Sequence, residues 1–380
     1  MIILINGTNL NGGGGAQVAD SICTSLAQFQ QHYFVVVLSS KLQSTSNKIR
    51  GYNNVSLHIY DYPQNDWWSL LTSRNSYLDS LVESEHVDVV FTVFAPMKWK
   101  PRVPHLAGFA LSHLVMPESP YFQRMNVIQR WKWRSKVLLW KFIFNKTDYL
   151  YTENPFISER VQRLFPFKKV FTVTNYYNQV FDHPEEQIYH KLPDFDGWQI
   201  LNVGSSAPHK NLSITIKIAR FLHTVFWEEI QHSEKPNFRF LFTIKESELL
   251  AVPDDLRGHF FFIDKVDISE VPSLYDQADV LFQPTLLECF SAVYPEAMRM
   301  GKPIVTTDLE FAHGLCGESA LYYVPTDPES AAKMIVELIS KPELRQCLIN
   351  KGKAELQKFD DYNSRSAKLI ALCERIAAGM

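Results

Sequence analysis

Short, unbroken apolar runs alternate with helix-length amphipathic patterns along this 380-residue chain, and the alternation starts twice. Ile2 to Ile5 leads into a glycine-rich turn. Val18, Ile22, Leu26 and Phe29 then share one helical face, and Phe34 to Leu38 is the next strand-like run. Strand, helix and strand in that order make a βαβ unit, which requires a parallel sheet buried on both faces. Val87 to Val93, His105 to Ala110, Tyr149 to Thr152 and Val170 to Val173 extend the series. A Pro-, Asp- and Glu-rich stretch from Asp182 to Gly197 reads as a surface linker. The pattern then restarts with a strand at Ile200 to Val203 and a helix from about Leu212. Strands follow at Phe238 to Ile244, Phe260 to Ile263, Val280 to Gln283, Ile304 to Thr307 and Leu321 to Val324. The length suffices for two cores. The expected fold is α/β, with two doubly wound domains facing across a cleft, residues 1–180 and 198–362. A final helix in 363–380, apolar at Leu369, Leu372 and Ile376, is free to dock on either domain and is expected back on the first.

Composition removes several function classes. With 46% hydrophobic and 21% charged residues and a net charge of −3, the chain is neither disordered nor fibrous. Five cysteines, Cys23, Cys289, Cys316, Cys347 and Cys373, lack CxxC spacing, so neither a disulfide framework nor a metal cluster is indicated and a reducing compartment fits. The start, Met-Ile-Ile-Leu-Ile-Asn-Gly, carries no basic leader, and no apolar run approaches the roughly 18 residues of a spanning helix. A cytoplasmic location is therefore expected. Charge is uneven: Lys98 to Lys169 holds 14 Lys and Arg against 4 Asp and Glu, a local +10 that leaves −13 elsewhere. That stretch seeks anions.

The densest chemistry lies in Gln283-Pro-Thr-Leu-Leu-Glu288-Cys-Phe-Ser-Ala-Val-Tyr-Pro-Glu296-Ala-Met-Arg-Met-Gly301-Lys-Pro303-Ile-Val-Thr. Glu288 falls in the loop after a strand and Glu296 in the following helix. Amides of Phe290, Ser291 and Ala292 at that helix start would be unpaired and able to cradle a diphosphate. A carboxylate one or two turns on can accept hydrogen bonds from ribose hydroxyls. This block is similar to the E-x7-E signature of retaining GT-B glycosyltransferases, specifically family 4 (glycosyltransferase group 1), including its Glu-Ala-Met-x-x-Gly-x-Pro-Ile/Val-Val tail. The resemblance implies two Rossmann-like domains, the first binding acceptor and the second a nucleotide sugar. It also implies that Glu296 binds the ribose, that Glu288 lies by the donor sugar, and that the amides of Phe290 to Ala292 touch phosphate or sugar. Cys289 and Ser291 replace the glycines of the family's Glu-Gly-Phe-Gly pattern, which opens the choice of donor sugar.

Other segments resemble the same family more loosely. Asn202-Val-Gly204-Ser205-Ser-Ala-Pro-His209-Lys210-Asn211 is similar to its Val-Gly-Arg-x-x-x-x-Lys element, with Ser205 in the arginine position and Lys210 left as the main cation for a diphosphate. The run Asn11 to Gln17 is similar to its N-terminal Gly-Gly turn, with Gly14 and Gly15 at the matching positions. That run is not GxGxxG, and Leu38-Ser39-Ser40 lacks the acid that reads a ribose in dinucleotide enzymes, which argues against a dehydrogenase. His113, after a strand, stands where the family often has a histidine near the reacting sugar. Asp194-Phe-Asp196 is a DxD in the linker and is discounted as a metal site.

Arg124 to Phe142 is basic and aromatic. Arg130, Trp131, Lys132, Trp133, Arg134, Lys136, Trp140 and Lys141 have the composition of a helix lying on anionic lipid, and no nucleic-acid motif accompanies them. The chain thus reads as a retaining, metal-independent hexosyltransferase without a cofactor, using a UDP- or GDP-sugar as co-substrate. Its acceptor is expected to be a saccharide or lipid-linked saccharide in surface polysaccharide synthesis (O-antigen, lipopolysaccharide or capsule), at the inner face of the cytoplasmic membrane. The competing readings are a non-catalytic nucleotide-sugar or membrane-binding module and a nucleotide-sugar epimerase.

Overall fold

β-Branched and aromatic runs three to seven residues long form strands when helices cover both sheet faces, and here they do so in two separate sheets. The computed structural model describes residues 1–63, 67–123 and 125–380; Arg124, the first residue of the basic stretch, lies outside them. The chain divides into two units. One comprises Met1–Pro117, Met125–Asn175 and Asp360–Met380, and the other Glu118–Arg124 and Tyr176–Phe359.

The first unit holds β1 (Ile2–Gly7), β2 (Tyr33–Leu38), β3 (Val55–Ile59), β4 (Val89–Ala95), β5 (His105–Phe109), β6 (Tyr149–Thr152) and β7 (Lys169–Thr172). Their order is β3-β2-β1-β4-β5-β6-β7, every pair parallel. Ile3 pairs with Phe34 on one side and Val89 on the other. Parallel pairing needs helical crossovers, and helix Gly13–Ser25 supplies the first, burying Val18, Ala19 and Ile22 against Ile3, Ile5 and Phe34. The last helix, Tyr362–Ala377, buries Leu369, Ile370, Leu372, Cys373 and Ile376 in this same core. β3 was not read from the sequence. It is an edge strand whose alternating Val-Ser-Leu-His-Ile is only half-buried, so it lacks the continuous apolar signal of its neighbours.

The second unit holds β8 (Trp198–Asn202), β9 (Phe238–Phe242), β10 (Phe260–Phe262), β11 (Val280–Gln283), β12 (Ile304–Thr307) and β13 (Ala320–Tyr323), ordered β10-β9-β8-β11-β12-β13 and again all parallel. Helices Ile214–Thr224 and Pro328–Ser340 cover it through Ile218, Leu222, Ile335 and Ile339. Each sheet is doubly wound, as expected, and each reverses its strand order once, between β1 and β4 and between β8 and β11. The stretch read as a surface linker is strapped to the second unit. Ile188 N donates to Ser269 O at 3.0 Å, His190 N to Ser273 Oγ at 2.9 Å and Leu192 N to Gln277 Oε1 at 2.9 Å, and Leu192 is buried. Its prolines and acids mask apolar anchors spaced too irregularly to read as an element.

Gly108, inside β5, is fixed by space. A Cβ there would lie 2.1 Å from the Val93 carbonyl oxygen and 2.9 Å from the Tyr151 ring, whose hydroxyl donates to that same oxygen at 2.9 Å. Gly108→Ala is therefore expected to destabilise the first unit by about 3 kcal/mol, because neither neighbour can retreat from a sheet buried on both faces. Urea unfolding of the variant would show a lowered midpoint; an unchanged one would refute the packing account.

Candidate functional site

Ligands of doubly wound sheets bind outside the carboxyl ends of the strands where the order reverses. In the second unit that point lies between β8 and β11, and the loops leaving these two strands carry the candidate residues. After β8, Gly204 N donates to Thr243 Oγ1 at 3.0 Å, Ser205 stands exposed, and a single turn, Pro208–Lys210, ends on Asn211 with a left-handed φ of 55°. After β11, Leu286 N donates to His209 O at 2.8 Å, joining the two loops. Asn202 Nδ2 reaches Gln283 Oε1 at 3.0 Å and Thr307 Oγ1 reaches Thr285 O at 2.8 Å, fixing the β11 loop from both sides. Across this seam Lys210 Nζ donates to Glu288 Oε1, with only 16% and 13% of the two side chains exposed. The cation expected to face a diphosphate and the carboxylate expected to face a sugar are thus an ion pair.

Glu296 lies on the helix Val293–Arg299 and is 4% exposed. Its Oε2 accepts from the Tyr275 hydroxyl at 3.0 Å, and Oε1 takes no hydrogen bond among the described residues. Burial pushes its pKa up to about 7, against the smaller downward pull of Tyr275. The helix starts at Val293, so Phe290, Ser291 and Ala292 form the approach to it with Ala292 as cap. Their amides have no hydrogen-bond partner among the described residues.

The remaining candidates belong to the first unit. Gly14 and Gly15 lie in the opening turn of helix Gly13–Ser25, at the carboxyl end of β1. The turn depends on Gly12 and Gly13, whose φ of 146° and 67° exclude most side chains. His113 lies in the single turn Ser112–Val115 after β5; it is half-buried, and burial lowers its pKa. One strand, β4, separates β1 from β5, so the two carboxyl ends are about 10 Å apart at ordinary strand spacing.

The basic segment is a 19-residue helix, Val127–Asn145, with a capping box from Asn126 and Gln129. Of its residues only Ile143 and Phe144 are buried. Val127, Ile128, Trp131, Leu138, Leu139 and Phe142 are exposed, by 38% to 78%. At about 100° per residue they fill one arc of about 120°, flanked on one side by Arg130, Arg134 and Lys141 and on the other by Lys132 and Lys136. Trp133 and Trp140, expected on the outward face, are half-buried and turn inward. Among the described residues no helix is long and apolar enough to cross a membrane.

Residues 185–355 match the family model of the glycosyl transferases group 1. The chain therefore carries a group 1 glycosyltransferase domain. That domain contains Lys210, Glu288, Glu296 and the free amides. Over 165 residues the chain is 27% identical to O-antigen chain mannosyltransferase RfbU of Salmonella typhimurium, covering 43% of this chain and 42% of the relative. Over 135 residues it is 29% identical to phosphatidyl-myo-inositol mannosyltransferase of Mycolicibacterium smegmatis, covering 35% of each. The chain thus spans less than half the length of either curated relative. Its whole fold superposes on sucrose-phosphate synthase from Thermosynechococcus elongatus with a TM-score of 0.70 at 13% identity, covering 100% of this chain and 99% of that one. The architecture is GT-B.

Several residues of the group 1 domain's site escaped the sequence reading. Tyr275, 21 positions before Glu296, holds that carboxyl. Ser119, in a segment far upstream that folds with the second unit, donates to Leu286 O at 2.7 Å, and Tyr121 sets its ring edge-on to His209 at 6.4 Å. No local pattern marks these contacts. Removing one member of the Lys210–Glu288 pair leaves the other charge buried alone, which costs about 3 kcal/mol or more. Lys210→Met should lower unfolding stability by that amount, and Lys210→Met with Glu288→Gln should restore most of it. A double variant no more stable than the single one in urea denaturation would show that the pair is not coupled.

Proposed function

We propose that this chain is a retaining hexosyltransferase that moves a sugar from a nucleotide-sugar donor to a saccharide or lipid-linked saccharide in surface polysaccharide synthesis. The observation that carries the reading is the seam within the group 1 domain, where Lys210 and Glu288 meet beside unpaired amides and the buried carboxyl of Glu296. An ammonium has three N–H donors, so Lys210 can hold Glu288 with one and turn the others to a diphosphate. Glu288 keeps lone pairs for sugar hydroxyls. As the donor's glycosidic bond breaks, negative charge grows on the leaving diphosphate. Lys210 and the amides of Phe290 to Ala292 then stabilise it without reorganising. In this reading Gly14 and Gly15 border the donor phosphate and the acceptor, His113 acts near the reacting sugar, and the exposed apolar face of helix Val127–Asn145, with its cations, rests on an anionic membrane surface. The two curated relatives are mannosyltransferases of an O-antigen chain and of a phosphatidylinositol, which makes mannose the first donor sugar to try.

The test is thermal unfolding with UDP- and GDP-hexoses, followed by transfer assays and NMR assignment of the product anomer. A donor at 100 times its Kd stabilises the folded chain by about 2.7 kcal/mol, and Glu296→Ala should abolish that shift. Absence of a shift with every nucleotide sugar would leave the enzyme reading without support, and an inverted anomer would reject retention alone.

Glu296 also gives the donor site a pH dependence. Its folded pKa, about 7 against an ordinary 4.5, means that ionising it in the empty fold costs about 3 kcal/mol. Its contribution to stability is complete below the ordinary value and lost as pH rises through about 7. Ribose hydroxyls donate far more strongly to the ionised carboxylate than to the neutral carboxyl, whose own O–H must also find an acceptor. Nucleotide-sugar affinity should therefore weaken about tenfold per unit as pH falls below about 7 and level off above it. Titration calorimetry should show this slope in wild type and a flat, weaker profile in Glu296→Gln; equal slopes would remove Glu296 from the ribose.

A further inference from the structure

A cleft of about 1100 Å³ opens in the first unit at the amino ends of β5, β6 and β7, the opposite end of that sheet from Gly14, Gly15 and His113. Lys100, Arg102, Lys141, Lys168 and Lys169 line it, against Asp148 as the one Asp or Glu in the lining and Met380, whose main-chain oxygen accepts from Lys169 Nζ at 3.4 Å. Each strand's approach delivers its own share: Lys100 and Arg102 precede β5, Asp148 precedes β6, and Lys168 lies just before β7 while Lys169 begins it. Lys100 Nζ lies 3.2 Å from Asp148 Oδ1, and Arg102 Nη1 lies 2.9 Å from Glu83 Oε1. Lys168 donates to the carbonyls of Asn145, at 3.1 Å, and Thr147. Burial, with the Lys100 charge adding to it and Asp148 opposing, depresses the Lys168 pKa, as expected where cations outnumber anions in a desolvated wall. Each of these groups retains N–H donors beyond the bonds it makes.

The cleft has an apolar lip. Phe167 lines it and is fully exposed, at 101%. Lys141 and Asn145 line it too, so the end of helix Val127–Asn145 is one wall, and Phe142, the last residue of the outward apolar arc, follows Lys141 directly. Lys141 is therefore shared between the cleft and the basic flank of that arc. A soluble phosphate needs the cations but not the exposed rings beside them. A lipid offers a phosphate joined to chains, and the cleft sets five cations beside the exposed phenyl group of Phe167, with the apolar arc of the helix beginning next to Lys141.

We propose that this cleft binds the phosphate headgroup of an anionic lipid, anchoring the first unit where helix Val127–Asn145 meets the membrane. It rests on the membrane reading of that helix and adds a specific site to it. The test is co-sedimentation of the full chain with phosphatidylcholine vesicles made with and without phosphatidylglycerol. Arg102→Gln with Lys169→Gln removes two exposed cleft charges. Lys333→Gln with Lys351→Gln removes two exposed charges from the second unit. Leu138→Ser with Phe142→Ser interrupts the apolar arc. With each basic residue near a membrane worth about 1 kcal/mol, the cleft variant should bind anionic vesicles about thirtyfold more weakly, and the second-unit variant should match wild type. Equal weakening in both charge variants would overturn the cleft in favour of general electrostatics. Loss of binding in the arc variant alone would overturn the cleft and leave the helix. Wild type that ignores anionic vesicles would overturn both. Calorimetry with glycerol 1-phosphate separates the last alternative. Binding abolished by Arg102→Gln with Lys169→Gln, with vesicle binding untouched, would reassign the cleft to a soluble phosphate ester and overturn the lipid proposal.

Discussion

The contact between Lys210 and Glu288 depends on strand order rather than on sequence proximity. The two residues stand 78 positions apart, and they meet because β8 and β11 are neighbours in the sheet although β9 and β10 intervene in the chain. A doubly wound sheet must reverse direction somewhere, and at the reversal two loops leave adjacent strands without crossover helices between them. That gap is where backbone is free to bond to ligand instead of to structure. In this chain the gap is bridged by the Leu286 amide on the His209 carbonyl, and the ion pair then sits on a braced seam. A pair this buried contributes little to stability by itself, because desolvation offsets most of the attraction. Its consequence is positional: a cation and a carboxylate held at fixed places, with spare donors and lone pairs, cost no further reorganisation when charge develops near them.

Glu296 follows a different logic within the same few residues. It has no cation, only the Tyr275 hydroxyl, so burial dominates and its proton is held to about pH 7. A carboxyl poised there is neutral or charged according to what faces it. Hydroxyl donors from a ribose favour the charged form, so this residue can contribute binding energy that an always-ionised glutamate at the surface could not. The buried Glu153 of the first unit, also lifted to about 7 by burial, lies in the bend after β6 and has the Arg365 charge opposing that rise and a partner in Asn175, so it is tied to the packing of the last helix.

Much of this was legible in the chain because parallel strands buried on both faces leave an unbroken apolar signal. Tyr149–Thr152, Val280–Gln283 and Ile304–Thr307 have the limits that the apolar runs suggest. β3 was missed because an edge strand is half-polar, and the anchoring of the linker at 182–197 was not legible because isolated anchors such as Leu192 have no period. At the candidate site, Glu288, Glu296 and Lys210 stand out through local motifs. Their partners were not, since Tyr275 and Ser119 reach the seam through the folded topology. The basic helix shows the same limit. Composition identified a cationic, aromatic segment, but only the orientation of the helix separates the outward Trp131 and Phe142 from the inward Trp133 and Trp140.

The exposed arc of that helix is the least economical feature of the first unit. Burying a leucine, phenylalanine or valine is worth roughly 1.5–3 kcal/mol, and six large apolar side chains on one face forgo most of that. A sheet that buries Val89–Ala95 completely shows that the fold has no difficulty covering apolar residues where coverage is useful. The arc is flanked by cations on both sides, and the helix that carries it contains no Asp or Glu. Uncovered apolar surface beside a one-sided charge distribution is costly in water and favourable at a boundary that supplies hydrocarbon and anions together. On the membrane reading proposed above, the local +10 between Lys98 and Lys169 serves what this surface would meet rather than the stability of the unit that bears it.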